Sequence, residues 1–169
     1  KIGMRVGITG GTGFIGEYLI RDFCSEIDVV APIIENPLDI SGAEYVFSDY
    51  SVEDLLRIFE GCDAVIHLAA KVAKRNTMEM VLDDYIGNTV LTVNVFEACR
   101  RLGITNVVHA SSRSIFDWST GEMKMVSENS CAKPQNPYGV SKVCDEVIAN
   151  YYNDIYHMNI KSFRMAEVC

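Results

Sequence analysis

The sequence predicts a doubly wound α/β fold on a parallel sheet, and three observations predict it. Six near-continuous apolar, β-type runs recur at 4–9, 27–33, 44–48, 63–68, 104–110 and 159–164. Four stretches of helical periodicity, at 14–24, 51–60, 78–102 and 137–157, alternate with them. A glycine-rich turn joins the first strand to the first helix. Strands that are apolar on both faces belong in a parallel sheet covered by helices on both sides. The chain has 169 residues, 49% hydrophobic and 22% charged, which suits one domain with a proper core.

Met4-Arg-Val-Gly-Ile-Thr9 is the first strand. Gly10, Gly11, Thr12, Gly13, Phe14, Ile15 and Gly16 follow, and an apolar pattern continues through Tyr18, Leu19 and Phe23. Glycine lets such a turn be tight and lets backbone approach a diphosphate with no Cβ in the way. The helix N-terminus then offers free N–H groups to the anion. The string fits G-x-G-x-x-G from Gly11 and G-x-x-G-x-x-G from Gly10, in the strand–turn–helix setting of a dinucleotide fingerprint. A close strand–helix crossing without a ligand would need the same glycines.

The second strand carries Pro32, where its pairing is expected to end. After the third strand come Asp49, Tyr50 and Ser51, and either Asp49 or Ser51 suits the cap of the helix at 51–60. The fourth strand ends at Leu68-Ala69-Ala70, small residues that let backbone pass close to a ligand. His67, His109 and His157 read as structural rather than acid–base groups. Lys71, Lys74 and Arg75 form a basic cluster, either a solvated loop or a phosphate contact. Asn88 sits inside the helix at 78–102, where asparagine is mildly unfavourable; a buried polar contact and a solvent-facing side chain both remain open. The loop from 116 to 136 is long and polar, as functional or mobile loops are. Six strands in the order 3-2-1-4-5-6, the Rossmann topology, are expected.

The net charge of −8 argues against nucleic acid as a partner. Six cysteines (Cys24, Cys62, Cys99, Cys131, Cys144 and Cys169) show no C-x-x-C and no metal-type pairing with the three histidines. They read as reduced thiols of a cytoplasmic protein with no metal site. No apolar run reaches transmembrane length, so no membrane partner is expected.

The chemistry is carried by Pro137-Tyr-Gly-Val-Ser-Lys142. Tyr138 and Lys142 are four apart and share one helix face. A tyrosine has a reference pKa of about 10 and is a poor base at neutral pH. A neighbouring cation lowers that value by stabilising the phenolate. A serine hydroxyl, from Ser111-Ser112 upstream, can bond the same substrate oxygen. Together they make a proton-transfer device aimed at a carbinol or carbonyl.

Thr9 to Gly16, Asp49-Tyr50, His67-Leu68-Ala69-Ala70, Asn88, Ser111-Ser112 and Tyr138-x-x-x-Lys142 occur in one order. In this the chain resembles the extended short-chain dehydrogenase/reductase superfamily, in its NAD-dependent sugar-nucleotide epimerase/dehydratase branch, from about Met4 to Val168. The resemblance implies Ser112, Tyr138 and Lys142 as catalytic residues. It implies cofactor contacts from Gly10, Gly13, Phe14, Ile15, Gly16, Asp49, Tyr50, Leu68, Ala69, Ala70, Ser111, Tyr138 and Lys142, with Asp49 on the adenine amino group. Ser111 is either structural or a backbone cofactor contact. The resemblance further implies NAD as cofactor, a nucleoside-diphosphate sugar as substrate, and a homodimer through the helices at 78–102 and 137–157. In that family an arginine ends the sixth strand, as Arg164 does here, and a smaller substrate domain follows. Residues 1–169 are therefore expected to be the NAD-binding Rossmann domain of a longer protein, or a piece trimmed to it.

Two departures narrow the branch. Dehydratases carry Asp-Glu after the serine or threonine, where this chain has Arg113-Ser114. The fucose-synthase-like branch uses a nearby cysteine, and none lies between 100 and 130. Phe116-Asp117 also replaces the family's usual Tyr-Gly. Epimerisation of a sugar carbon is the expected activity. A net reductase of the same superfamily and a non-catalytic dinucleotide sensor are the alternatives. Between Arg21 and Arg57 there is no lysine or arginine to meet a 2′-phosphate, so NAD is expected over NADP.

Overall fold

The computed structural model describes residues 3–71, 81–117 and 125–166. Six strands form one parallel sheet: β1 (Arg5–Thr9), β2 (Asp28–Ile33), β3 (Ala43–Phe47), β4 (Ala64–His67), β5 (Asn106–Ser112) and β6 (Asn159–Met165). Their order is β3-β2-β1-β4-β5-β6, as expected. The helices are α1 (Phe14–Phe23), α2 (Val52–Ile58), α3 (Val81–Asp84), α4 (Leu91–Leu102) and α5 (Pro137–Tyr156).

Side chains alternate across each strand, so the sheet has two cores. Val30, Val65, Val107 and Ile160 meet Leu55 and Phe59 from the α2 segment, Val95, Phe96 and Cys99 of α4, and Ala149 and Tyr152 of α5. On the other face Val6, Ile8, Val29 and Ala31 meet Ile20 of α1. Ser51 Oγ caps α2 by accepting from the Asp54 N–H (3.3 Å). Asn136 Oδ1 caps α5 by accepting from the Gly139 N–H (2.7 Å), with Pro137 as the first helical residue.

Three expectations change. Pairing of β2 does not stop at Pro32, because Pro32 and Ile33 still pair with Val46 and Phe47 of β3. The reason is parity. The Ile33 carbonyl accepts from Ser48 on the β3 side, so the absent N–H of Pro32 faces β1. There the pairing has already ended at Gly7–Val30, and no hydrogen bond is lost. Second, the helix expected at 78–102 is not uniformly α-helical. Between α3 and α4, Tyr85–Val90 forms a π-helical turn. Third, β5 runs on through Ser111 and Ser112, which pair with Arg164 and Met165 of β6. Ser112 is thus held by the sheet.

Candidate active site

The carboxyl ends of β1, β4, β5 and β6 open into a cleft of about 530 Å³. One wall is the turn from Gly10 to Gly16. Gly10 has φ of +69°, and a Cβ there would lie 2.7 Å from the Ala69 nitrogen. A Cβ on Gly16 would strike the Gly10 carbonyl and lie 2.7 Å from Gly11 Cα. Side chains are therefore excluded by backbone on both sides. Gly13 caps α1 with no side-chain acceptor, and the first bond of the helix runs from the Glu17 N–H to Gly13 O. The N–H groups of Phe14, Ile15 and Gly16 precede it and point out of the helix end. That is a cradle for a diphosphate, and the residues present fit a dinucleotide.

The opposite wall holds Ser111, Ser112 and Tyr138. Thus Gly10, Gly13, Phe14, Ile15, Gly16, Leu68, Ser111, Ser112 and Tyr138, all singled out in the sequence, share one cleft. Ala110, Met165 and Ala166 line it too. Ala110 had no signal in the sequence beyond its position at a strand end, whereas Met165 and Ala166 follow Arg164, where the resemblance implied a segment lining the nicotinamide.

The other expected residues lie elsewhere. Ala69 and Ala70 continue β4 beside Gly10, both half-buried. Asp49 borders a second, shallower opening of about 460 Å³ between the ends of β2 and β3, with Ile33, Ile34, Phe47, Ser48 and Asp54. Its Oδ1 accepts from the Ser51 N–H (2.8 Å), and the Ser51 hydroxyl first, then that N–H, hold the carboxyl below its usual pKa. Tyr50 borders neither opening. It has φ of +59°, its ring is in the core, and its hydroxyl donates to Pro32 O (2.8 Å). Burial pushes its pKa up to about 12. Lys74 and Arg75 lie outside the described residues, while Lys71 pairs with Asp83 (3.2 Å).

Lys142 is buried beneath Tyr138, with Nζ 5.8 Å from the ring centroid. It faces Asp145 Oδ2 at 3.5 Å. The expected depression of the Tyr138 pKa is absent from this arrangement. Burial raises the phenol above its ordinary value, the Ser112 hydroxyl opposes that, and the Asp145 charge adds to it. Burial likewise lowers the Lys142 pKa, with Asp145 opposing. The ammonium is directed at the carboxylate, which offsets its pull on the phenol.

Asn88, left open by the sequence, is fully buried on the π turn. Its Oδ1 accepts from the Lys71 N–H (2.6 Å), and its Nδ2 donates to Lys71 O (3.1 Å) and Ser141 Oγ (3.3 Å). It fastens the chain leaving β4 to α5, one residue before Lys142. Ser111 Oγ donates to Glu146 Oε1, and Glu146 binds Arg164, whose Nη1 donates to Glu128 O (2.7 Å).

His67 is buried with both ring nitrogens bonded, at 2.7 Å to Thr9 Oγ1 and 3.0 Å to Thr92 Oγ1. Thr9 Oγ1 already accepts the N–H groups of Leu68 and Ala69, both at 3.1 Å. Its own proton must then go to His67 Nδ1, so His67 carries its proton on Nε2 and donates to Thr92. Burial holds it neutral, its pKa well below normal. The His67 ring stacks on His109, 5.7 Å between centroids.

Comparison with known proteins places this geometry. Residues 6–169 match the model of the NAD dependent epimerase/dehydratase family. The L-arabinose 1-dehydrogenase (NAD(P)(+)) of Haloferax volcanii is 30% identical over 95% of this chain and 66% of its own. The crystal structure of UDP-N-acetylglucosamine 4-epimerase from Bacillus cereus superposes with a TM-score of 0.81 at 31% identity, covering 95% of this chain and 53% of that one. That of UDP-glucuronic acid 4-epimerase from Bacillus cereus in complex with NAD gives 0.82 at 26% identity, over 96% and 57%. The chain spans between about half and two thirds the length of these relatives.

Proposed function

The chain belongs to the NAD-dependent epimerase/dehydratase family, and from that premise we propose that it is the cofactor domain of an enzyme that epimerises a sugar carbon of a nucleoside diphosphate sugar. The observation that carries the reading is the single cleft with the glycine cradle on one wall and Ser112 and Tyr138 on the other. When bound, the nicotinamide would supply a reversible acceptor for the hydride of the sugar carbon. Gly10 to Gly16 would hold the diphosphate, and the opening beside Asp49 would take the adenosine end. Tyr138, as a phenolate formed against the burial and the Asp145 charge that raise its pKa, would take the hydroxyl proton, and Ser112 would donate to the same oxygen. Tyr138 would hold that proton through the oxidised state of the sugar and return it to the same oxygen. Lys142 stays buried and charged below the phenol.

Full-length protein supplied with UDP-hexoses should interconvert epimers with no net change in NAD and no cofactor release. Stoichiometric consumption of added cofactor would instead support a net dehydrogenase or reductase, the reading favoured by the arabinose dehydrogenase relative. NAD should bind more tightly than NADP, since β2 and the chain after it bring no cation; tighter NADP binding in a paired titration would reverse that assignment. We also propose a homodimer and a cytoplasmic location. Leu82, Ile86 and Val90 form one outward apolar stripe, and Val147, Tyr151 and Ile155 form another, each spaced by four and about half or more exposed. No helix among the described residues is long and apolar enough to cross a membrane.

A further inference from the structure

Asp145 is wholly buried, three residues after Lys142 on the same face of α5. Its Oδ2 lies 3.5 Å from Lys142 Nζ and 3.6 Å from His109 Nε2. Neither of its oxygens makes a hydrogen bond to a described residue. A carboxylate taken out of water is costly unless an opposite charge compensates it. The groups around it leave one compensating charge. From β5, His109 is neutral, because burial outweighs the pull of Asp145; its Nδ1 bonds Ser162 Oγ (3.0 Å). From β4, His67 is neutral behind it. On α5 itself, Glu146 is engaged by Arg164, and burial raises the Cys144 thiol. Tyr138 lies on the far side of Lys142. The floor of the site therefore holds one ammonium against one carboxylate, in a place shielded from solvent.

We propose that Asp145 is a positioning residue for the proton-transfer pair, holding the Lys142 ammonium beneath the Tyr138 ring and setting, by its fixed negative charge, the pH at which both groups titrate. The proposal rests on Tyr138 and Lys142 being that pair. Its sign is fixed by electrostatics. A buried negative charge makes every neighbouring acid harder to deprotonate. Removing it eases proton loss from the phenol and from the ammonium alike. A side chain that merely filled space would, when changed, weaken the fold and leave both titrations where they were.

The test is a titration of full-length protein labelled with ¹³Cζ-tyrosine and ¹³Cε-lysine. Tyr138→Phe and Lys142→Met assign the two resonances. In Asp145→Asn, which keeps the shape, both midpoints should move to lower pH, by roughly one unit or more. Asp145→Ser, smaller and able to admit a water, should shift them the same way and serves if the amide does not fold. Asp145→Glu should keep the midpoints near the wild-type values. Midpoints unchanged or raised in a variant with a cooperative melt would overturn the proposal. The kcat/KM profile for sugar epimerisation should move to lower pH in step. If the epimerase reading itself is wrong, wild-type protein shows no turnover while the NMR shift persists; if only the positioning role is wrong, turnover is present and its profile stays fixed.

Discussion

At the glycine end of the cleft, binding groups are backbone N–H and the sequence's contribution is to keep side chains out. At the tyrosine end, the working groups are side chains, and they stand on a floor of buried polar residues. The first end is specified by seven consecutive residues, with the chain leaving β4 packed against Gly10. The second is assembled from β1, β4, β5, the π turn and α5, through Thr9, His67, His109, Asn88, Lys142 and Asp145. A local specification fails all at once when one Cβ is added. An assembled one degrades by steps, because Thr9, His67 and Asn88 each have more than one partner.

The largest expected effect breaks the tyrosine end alone. Tyr138→Phe in the full-length protein should lower turnover roughly a hundredfold or more while leaving dinucleotide affinity nearly intact. Steady-state kinetics beside NAD titration would check this, and retained activity would remove Tyr138 from the mechanism. The next breaks the glycine end. Gly16→Ala places a methyl against the Gly10 carbonyl and Gly11 Cα, and backbone there has no room to retreat. Such overpacking costs about 1–3 kcal/mol, read as lost thermal stability, with dinucleotide affinity down roughly tenfold or more. Unchanged NAD binding would show that the cradle is not where the diphosphate lies.

The smallest effect sharpens the contrast by probing the floor. His67 and His109 are held neutral in the fold, their pKa values depressed by burial. An unfolded chain protonates them below about pH 6.5. Between that pH and their lower folded values the unfolded state binds more protons, so stability falls as pH falls. Each contributes at most about 1.4 kcal/mol per pH unit. Urea unfolding at several pH values should show that slope, and it should be shallower in His109→Gln. A slope identical to wild type would mean that His109 does not titrate on unfolding.

The same contrast explains what could be read from the chain. Gly10 to Gly16 and Tyr138-x-x-x-Lys142 are short-range patterns whose meaning follows from turn sterics and helix periodicity, and the six alternating strands followed from apolar runs. Pro32 misled because its effect depends on where the neighbouring β1 stops pairing, which a single strand does not encode. Tyr50 sits next to Asp49 in sequence, but a left-handed backbone turns its ring into the core. Asp145 is three residues from Lys142 and so carried a local signal. In a chain of net charge −8 nothing else local distinguishes it from a solvated helical acid. What buries it is His109 on β5, backed by His67 on β4, brought in by the sheet.

The π turn at Tyr85–Val90 has a consequence for how this chain tolerates changes in length. Asn88 points inward to Lys71 and Ser141, while Ile86 and Val90 on the same turn point outward. A helix advances about 100° per residue. Deleting one residue here would restore ordinary winding and turn the side chains within Tyr85–Val90 away from their present directions, while α3 and α4 keep their orientation. The inward amide and the outward stripe would leave their partners together. Outside Asn88, this stretch should therefore accept substitutions more readily than a single-residue insertion or deletion, and its spacing together with the Asn88 amide ties the floor of the cleft to the outer face of the helix.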